Sequence, residues 1–168
     1  MVEIIDIVDE NDNIIGKAPR EEVRQKILLH RCAMVFVFNS NEEIFVHLRT
    51  PTKKIYPSYY DMACGGGMGP GERYETAAYR ESSEELGLKN QKLEFLFKAR
   101  HKSALENSFV SVYKTVYDGK LTLQKEEIVS GEFMSIENLN KMIKKEKFCP
   151  DSLEMFKKFS QLFSLSTD

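Results

Sequence analysis

A glycine-rich segment that runs directly into an acidic helix constrains this chain more than any other feature. Residues 65–88 read GGGMGPGERYETAAYRESSEELGL. Glu81, Glu84 and Glu85 are spaced i, i+3 and i+4, so they share one face of the predicted helix. Like charges one turn apart repel by roughly 0.2–0.5 kcal/mol per pair when exposed. A divalent cation turns that repulsion into attraction, because Mg²⁺ is held by a few carboxylates together with water and substrate phosphate oxygens.

A solvated acidic face is the alternative interpretation of the same three carboxylates. Charged runs usually lie in solvent, and Arg80 can pair with Glu84 at the i, i+4 spacing. The spacing alone therefore leaves both metal binding and a solvated face open, and the residues around the helix have to decide between them.

Those surrounding residues resemble the Nudix box, whose pattern is G-x5-E-x7-R-E-U-x-E-E-x-G-U with U a bulky apolar residue. The matching positions in this chain are Gly66, Glu72, Arg80, Glu81, Glu84, Glu85, Gly87 and Leu88. Ser82 stands at the first U position, and we expect its small hydroxyl side chain to weaken the packing of the helix. Eight fixed positions over a fixed span make this a specific signal, unlike a short glycine motif.

The resemblance implies an α/β protein with the Nudix fold, an α/β/α sandwich around a mixed β-sheet, and a single domain over residues 1–168. It also implies a pyrophosphohydrolase, an enzyme that acts on acid anhydrides with Mg²⁺, or alternatively Mn²⁺, as its cofactor. The expected reaction is attack of water on a diphosphate linkage in a nucleoside diphosphate derivative or a similar organic pyrophosphate. Such catalysis depends on positioning and charge neutralisation, so it needs several carboxylates and no Ser or Cys nucleophile.

The resemblance also assigns roles to individual residues. The implied metal ligands are Glu81, Glu84, Glu85 and Glu72. Glu72 would either bind the metal directly or accept a hydrogen bond from a group that positions the ligands. The implied catalytic residues are Glu81, Glu84, Arg80 and Glu127. Arg80 would orient a glutamate through its bidentate fork. Glu127, just before a predicted strand, would be a further ligand or the general base, and the alternative is that it is only a surface acid.

The flanking segments resemble the isopentenyl-diphosphate isomerase branch of the superfamily, at Leu29-His30-Arg31, at residues 48–54 and at Ala63-Cys64-Gly65. In that branch the residues matching Arg49 and Lys53 hold the substrate diphosphate. We therefore predict that Arg49, Lys53 and Gly66 contact substrate, although a basic loop that is simply exposed would have the same sequence.

Two departures separate the chain from those isomerases. Gly66 stands where they carry a metal-binding His, and Glu106-Asn107-Ser108 lacks the second acid of their E-N-E motif. Isomerisation needs one group to give a proton and another to take one. We therefore predict a hydrolase, with isopentenyl-diphosphate delta-isomerase as the alternative and a non-catalytic nucleotide-sensing domain as a third possibility.

Other candidate groups receive weaker assignments. Without its Glu partner, Cys64 is interpreted as a small apolar strand residue. His30 matches an isomerase ligand, but a lone His at the start of a strand is more often structural or at the surface. His47 and His101 belong to no constellation. Recognition of the base is expected from loops such as residues 98–107 and the hairpin after Gly119, although their sequences specify neither a nucleobase nor a sugar.

Composition restricts the partners and the compartment. The net charge of −2 gives no general field for nucleic acid or an anionic membrane. The sequence contains no signal peptide pattern and no run of about 18 apolar residues. Three widely spaced cysteines fit reduced thiols. We expect a cytoplasmic protein that binds a small-molecule diphosphate, and a homodimer by analogy with the superfamily.

Periodicity and turn signals predict the order of the elements. Strands are expected at residues 3–8, 14–17, 32–38, 44–49, 59–64, 93–99, 109–117 and 128–135. Helices are expected from Pro19, which can occupy a first helical position, at 74–86 with Gly87 as the stop, at 136–145, and after an N-cap at Asp151. Asp118-Gly119 predicts a hairpin turn.

Overall fold

Strands and helices alternate irregularly along residues 2–163, the part of the chain that this computed structural model describes. The strands within that range are β1 (Ile4–Val8), β2 (Ile14–Pro19), β3 (His30–Phe38), β4 (Ile44–Arg49), β5 (Tyr60–Asp61), β6 (Cys64–Gly67), β7 (Glu94–Lys102), β8 (Asn107–Val116) and β9 (Ile128–Met134). The helices are α1 (Arg20–Lys26), α2 (Tyr74–Leu86), α3 (Ile136–Ile143) and α4 (Pro150–Leu162).

Strand β3 is the centre of the sheet. It pairs along its whole length with β8 in parallel and, over residues 32–35, with β6 in antiparallel orientation. Strand β1 joins β3 near His30 and carries β2 outside it, while β4 joins β3 at the hairpin and carries β5 and β9. Strand β7 lies outside β8. The sheet is therefore mixed, as predicted.

Both faces of β3 are covered, because its side chains alternate between two apolar cores. Val35 packs with Ala78 of α2 on one face, and Phe36 packs with Leu139 of α3 and Phe156 of α4 on the other. This confirms the predicted α/β/α sandwich. No helix among the described residues is long and apolar enough to cross a membrane.

The glycine-rich segment differs from its prediction. Instead of one strand over 59–64 that leads into a loop, the chain forms two short strands, β5 and β6, and residues 65–67 belong to β6. Gly65 makes this pairing possible, because a Cβ there would lie 2.2 Å from the Ala33 carbonyl oxygen. The absence of a side chain lets β6 approach β3 closely.

The predicted hairpin turn at Asp118-Gly119 is wrong. Strand β8 pairs with β3 and β7, and the next strand, β9, pairs with β4. The Asp118 carboxylate instead accepts a hydrogen bond from the Ser40 backbone N–H at 2.8 Å. The turn dipeptide thus tethers the loop between β3 and β4.

Two helix starts also differ from the prediction. Pro19 precedes α1 as its N-cap residue and does not occupy the first helical position. Helix α4 begins at Pro150 after Cys149, which places Asp151 in the first turn and not at the N-cap. Proline at a first helical position has no N–H that needs a partner, so Pro150 starts α4 two residues earlier than the N-cap predicted at Asp151 indicates.

Candidate active site

Helix α2 presents the acidic motif as the spacing predicts. It runs from Tyr74 to Leu86 and ends at Gly87, whose φ of 69° is left-handed. Ser82, the departure from the motif, is fully buried, and its hydroxyl donates to the Ala78 carbonyl at 2.8 Å. Gln91 in turn donates to the Ser82 hydroxyl at 3.0 Å. The small polar residue is therefore satisfied within the core.

Arg80 joins the carboxylates of this segment. Its Nε and one terminal nitrogen each donate to Glu72 at 2.9 Å, which is a bidentate pair. Its other terminal nitrogen donates to Glu81 at 2.6 Å and to Glu84 at 3.3 Å. The hydrogen bonds from Arg80 to Glu72 hold the pKa of Glu72 below its usual range. Three carboxylates of the motif thus contact one guanidinium.

Gly66 is packed directly against Glu81. A Cβ at Gly66 would lie 2.7 Å from Glu81 Oε1, closer than side chains tolerate. Strand β6 pairs Gly66 with Ala33 of β3. The glycine that opens the motif therefore determines how close the Glu81 carboxylate approaches the sheet.

Glu81 and Glu85 are held in surroundings that disfavour their charge. Burial raises the pKa of Glu81 above its usual value. Burial, with the nearby carboxylates Glu81 and Asp61, raises the pKa of Glu85 well above its usual value. Carboxylate oxygens under mutual repulsion are the ligands that a hard divalent cation prefers.

The chemistry of this donor set fits Mg²⁺, although the side chains are not gathered as a metal cage. Among residues 2–163, no group of three or more His, Cys, Asp or Glu side chains has the arrangement needed to hold a metal ion. The Arg80 guanidinium contacts Glu72, Glu81 and Glu84 in this conformation. To bind a cation, these carboxylates would have to give up their ion pairs with Arg80.

A cleft of about 320 Å³ lies next to β6. Of the predicted site residues, it is lined by Gly66, Arg49, Lys53 and Glu127, while Glu81 reaches the cleft wall at Gly66. Lys53 forms an ion pair with Glu127. Glu72 instead lines a second, more open groove with Tyr74 and Phe95. The structure thus brings the predicted phosphate-binding residues and the predicted base into one cleft.

Arg49 is held by its own loop. Its terminal nitrogen donates to the Ile55 carbonyl at 3.1 Å and its Nε to the Tyr56 carbonyl at 3.3 Å. Another terminal nitrogen lies 3.7 Å from the Asp61 carboxylate. Arg49 therefore contributes fixed positive charge to the cleft and is not a free side chain.

The assignments for Cys64 and His30 agree with their surroundings. Cys64 is 1% exposed, its thiol donates to the Val35 carbonyl at 3.7 Å, and burial raises its pKa well above the usual value. His30 Nδ1 lies 3.0 Å from the Leu28 carbonyl, and burial lowers the pKa of His30. The buried Cys64 thiol and the His30 ring contact to its own backbone segment are consistent with structural positions, and whether either residue has a further role stays a prediction.

Sequence reasoning gave no site role to four acids that line the cleft, namely Asp61, Glu106, Glu126 and Asp151. Burial and the nearby Asp151 raise the pKa of Glu106 to about 7. Burial and the nearby Asp61 raise the pKa of Asp151 to about 6. Glu106 falls in the 98–107 segment expected to contact the base, whereas Asp151 was expected only as an N-cap and Asp61 carries no local signal.

Asp6 of β1 is a further residue that the sequence did not indicate. It is 3% exposed, and its Oδ2 accepts a hydrogen bond of 2.7 Å from the Gly71 backbone N–H. Gly71 has a φ of 71° and directly precedes Glu72. Asp6 thus anchors the turn that presents Glu72 to Arg80.

We expect Asp6→Ala to lower the melting temperature, because a hydrogen bond to a charged acceptor contributes roughly 1.5–3 kcal/mol. Hydrolytic activity should fall with it, since Glu72 would lose its fixed position. Thermal denaturation and a phosphate-release assay on the same preparations measure both effects. Glu75→Ala, an exposed position on α2, is the control. An Asp6→Ala protein with wild-type melting and activity would contradict this anchoring role.

Comparison with known proteins places these residues in context. The NUDIX domain model matches residues 28–159. The chain is 38% identical over 156 residues to an uncharacterized Nudix hydrolase of Streptomyces coelicolor, covering 92% of this chain and 86% of the relative. It is 36% identical over 152 residues to one of Pseudomonas aeruginosa, covering 90% of each. The crystal structure of DR0079 from Deinococcus radiodurans superposes with a TM-score of 0.79 at 27% identity, covering 93% of this chain and 98% of that one.

Proposed function

The chain belongs to the Nudix hydrolase superfamily and is a pyrophosphohydrolase, and from this premise we propose that it cleaves a diphosphate linkage in a nucleoside diphosphate derivative or a similar organic pyrophosphate. The observation that carries the proposal is the arrangement at Arg80, which contacts Glu72, Glu81 and Glu84, while Glu81 lies against Gly66 at the cleft wall. Water is the proposed nucleophile, since burial raises the pKa of each thiol that lines the cleft, Cys32, Cys64 and Cys149, and so disfavours the thiolate.

Glu81, Glu84 and Glu85 are the groups that we propose to hold Mg²⁺ or Mn²⁺, with Glu72 as a further ligand or as the acceptor that positions Arg80. Bound metal would supply positive charge to the phosphoryl oxygens of the substrate. Arg80 bonds Glu72 through two nitrogens but Glu84 through a single contact of 3.3 Å. Of the carboxylates that Arg80 contacts, Glu84 is therefore the one most easily released from Arg80 to bind a cation. Glu72 is the one that Arg80 holds most firmly.

Lys53 and Glu127 connect phosphate binding to proton transfer. Their ion pair lies in the cleft, where a phosphate group would compete with Glu127 for the Lys53 ammonium. An incoming diphosphate would thus release Glu127, which could then accept the proton of the attacking water. Arg49, fixed by the Ile55 and Tyr56 carbonyls, would add charge for the same phosphates.

The isomerase branch remains the source of the flanking resemblance, but isomerisation is disfavoured. The matching thiol, Cys64, is packed in the core with a raised pKa and cannot readily exchange protons with a ligand. Gly66 offers no side chain where the isomerases carry His. The free thiols of Cys32, Cys64 and Cys149 support our proposal of a reducing, cytoplasmic compartment.

A substrate screen tests the proposal. We expect Mg²⁺-dependent release of phosphate or pyrophosphate from at least one nucleoside triphosphate, dinucleotide or nucleotide sugar, and no dimethylallyl diphosphate from isopentenyl diphosphate. Formation of dimethylallyl diphosphate would replace the hydrolase with the isomerase. Stabilisation by ADP-ribose without any turnover would instead indicate a sensing domain.

A further inference from the structure

Three carboxyl groups from distant parts of the chain meet at one end of the cleft. Asp61 comes from β5, Glu106 from the turn that precedes β8, and Asp151 from the first turn of α4. Asp61 lies 3.7 Å from the Arg49 guanidinium and forms an ion pair with it. Glu106 and Asp151 form no such ion pair with Arg49. This group, which we call the cleft acids, lies outside the acidic motif on α2.

A buried histidine stands behind Glu106. His101 is 3% exposed, and its Nδ1 lies 2.6 Å from Glu154 Oε2, a distance at which the ring N–H donates to the carboxylate. Its Nε2 has no hydrogen-bond partner among the described residues and lies 3.9 Å from Glu106 Oε2, which is likewise buried and unpartnered. Buried polar atoms without partners are rare in native proteins and call for a reason.

The Glu106 carboxyl extends from this histidine to the cleft. One oxygen is buried toward His101, while 25% of the side chain remains exposed and lines the cleft. The Glu154 carboxylate fixes the ring of His101, so that Nε2 faces the buried Glu106 oxygen at 3.9 Å. Glu106 is therefore a partly buried acid between this ring and the cleft and not an exposed surface acid.

The charge of the cleft decides what such acceptors would bind. Five basic and five acidic side chains line it, so it presents no net negative field that would select a cation. An alkyl chain would bury the carboxyl groups of the cleft acids without offering them a hydrogen bond, and such burial is costly. Neutral hydroxyl groups would instead donate hydrogen bonds to these carboxyl oxygens, so they avoid that cost. Carboxylates bind ribose hydroxyls in this way in other nucleotide sites.

We propose that Glu106 and Asp151 bind the hydroxyl groups of a ribose in the substrate, while the phosphates lie toward Lys53 and Gly66. The assignment rests on the proposed hydrolase function and specifies its substrate as a ribose-containing diphosphate. His101 acts through Glu106 and is a positioning residue. The site discriminates against isopentenyl diphosphate and against nucleotides that lack the ribose hydroxyls.

Binding measured by calorimetry in EDTA tests the assignment without any need for turnover. The probes are the four common ribonucleoside diphosphates, their 2′,3′-dideoxy counterparts and isopentenyl diphosphate. We expect wild-type protein to bind at least one ribonucleoside diphosphate about tenfold more tightly than its dideoxy counterpart. Equal affinity for every such pair, or tighter binding of isopentenyl diphosphate, overturns the proposal. Ribose-selective binding without hydrolysis in the substrate screen would keep this inference and reject the hydrolase.

Glu106→Gln and Asp151→Asn locate the effect. Each should weaken binding of the preferred ribonucleotide by about fivefold or more and change the dideoxy affinity by less than about twofold. Glu94→Gln, an exposed acid on β7, is the control and should change neither. Equal losses for both ligands in both variants, or no loss in either, would refute the assignment. His101→Asn should reproduce the ribose-specific loss, and the Glu106→Gln, His101→Asn double variant should lose no more than the single ones.

Discussion

Replacing Glu85 by glutamine is expected to reduce Mg²⁺-dependent hydrolysis by roughly 10²–10³-fold, the loss typical when one electrostatic catalytic group is removed. The same change should raise the melting temperature measured in EDTA. Burial, together with Glu81 and Asp61, holds the pKa of Glu85 well above its usual value, so the charged form is penalised in the folded protein. The neutral amide escapes that penalty above the unfolded pKa of about 4.3.

The sign of this effect follows from proton binding. A carboxyl whose pKa is raised on folding binds more protons in the native state, so wild-type stability falls as the pH rises from the unfolded pKa toward the folded one. The stabilisation by Glu85→Gln should accordingly appear above about pH 4.3 and vanish below it. Activity and stability moving in opposite directions distinguish a functional acid from a structural one.

Two further variants complete the Glu85 experiment. Glu84→Gln should lose a similar share of hydrolysis with little change in melting, because Glu84 is 54% exposed and its ion pair with Arg80 is a surface contact. Glu75→Gln, exposed on the same helix, should be neutral in both assays. Full activity in both the Glu84 and Glu85 variants would remove the carboxylates of α2 from the mechanism.

Local signals explain which parts of the fold were predictable. Strand β3 reads as apolar at consecutive positions, and α2 carries both a helical spacing and a glycine stop, so each element is specified within its own stretch of sequence. The acidic motif is equally local, since all its members fall between Gly66 and Leu88. Its geometry follows from one helix and the strand before it.

Long-range contacts explain what the sequence did not indicate. The ion pair between Lys53 and Glu127 joins residues 74 positions apart. Glu106 and Asp151 line the same cleft although they are 45 positions apart in the sequence. Asp118-Gly119 has a strong local turn preference, but the pairing of β9 with β4 overrides it. Tertiary packing, which has no local signal, decided each of these.

Gly66→Ala should have the second-largest effect on activity, because the added methyl would displace the Glu81 carboxylate. The new Cβ would lie 2.7 Å from Glu81 Oε1. Since this atom is the end of a flexible side chain, rotation of Glu81 can relieve the clash, and the cost in stability should be small. Relief by rotation of Glu81 would also break its 2.6 Å contact with Arg80. We therefore expect a loss of hydrolysis with little change in the melting temperature.

Gly16→Ala is the matched control, since a Cβ at Gly16 in β2 meets nothing within 4 Å. It should leave melting and activity near the wild-type values. The double variant Gly66→Ala, Glu81→Ala should likewise keep a melting temperature near that of the wild type, because the smaller side chain removes the clash, but should recover no activity. A loss of hydrolysis at near-wild-type stability would assign the glycine to the placement of Glu81. A Gly66→Ala protein with wild-type activity would show that the close approach of Glu81 to β6 plays no part in the reaction.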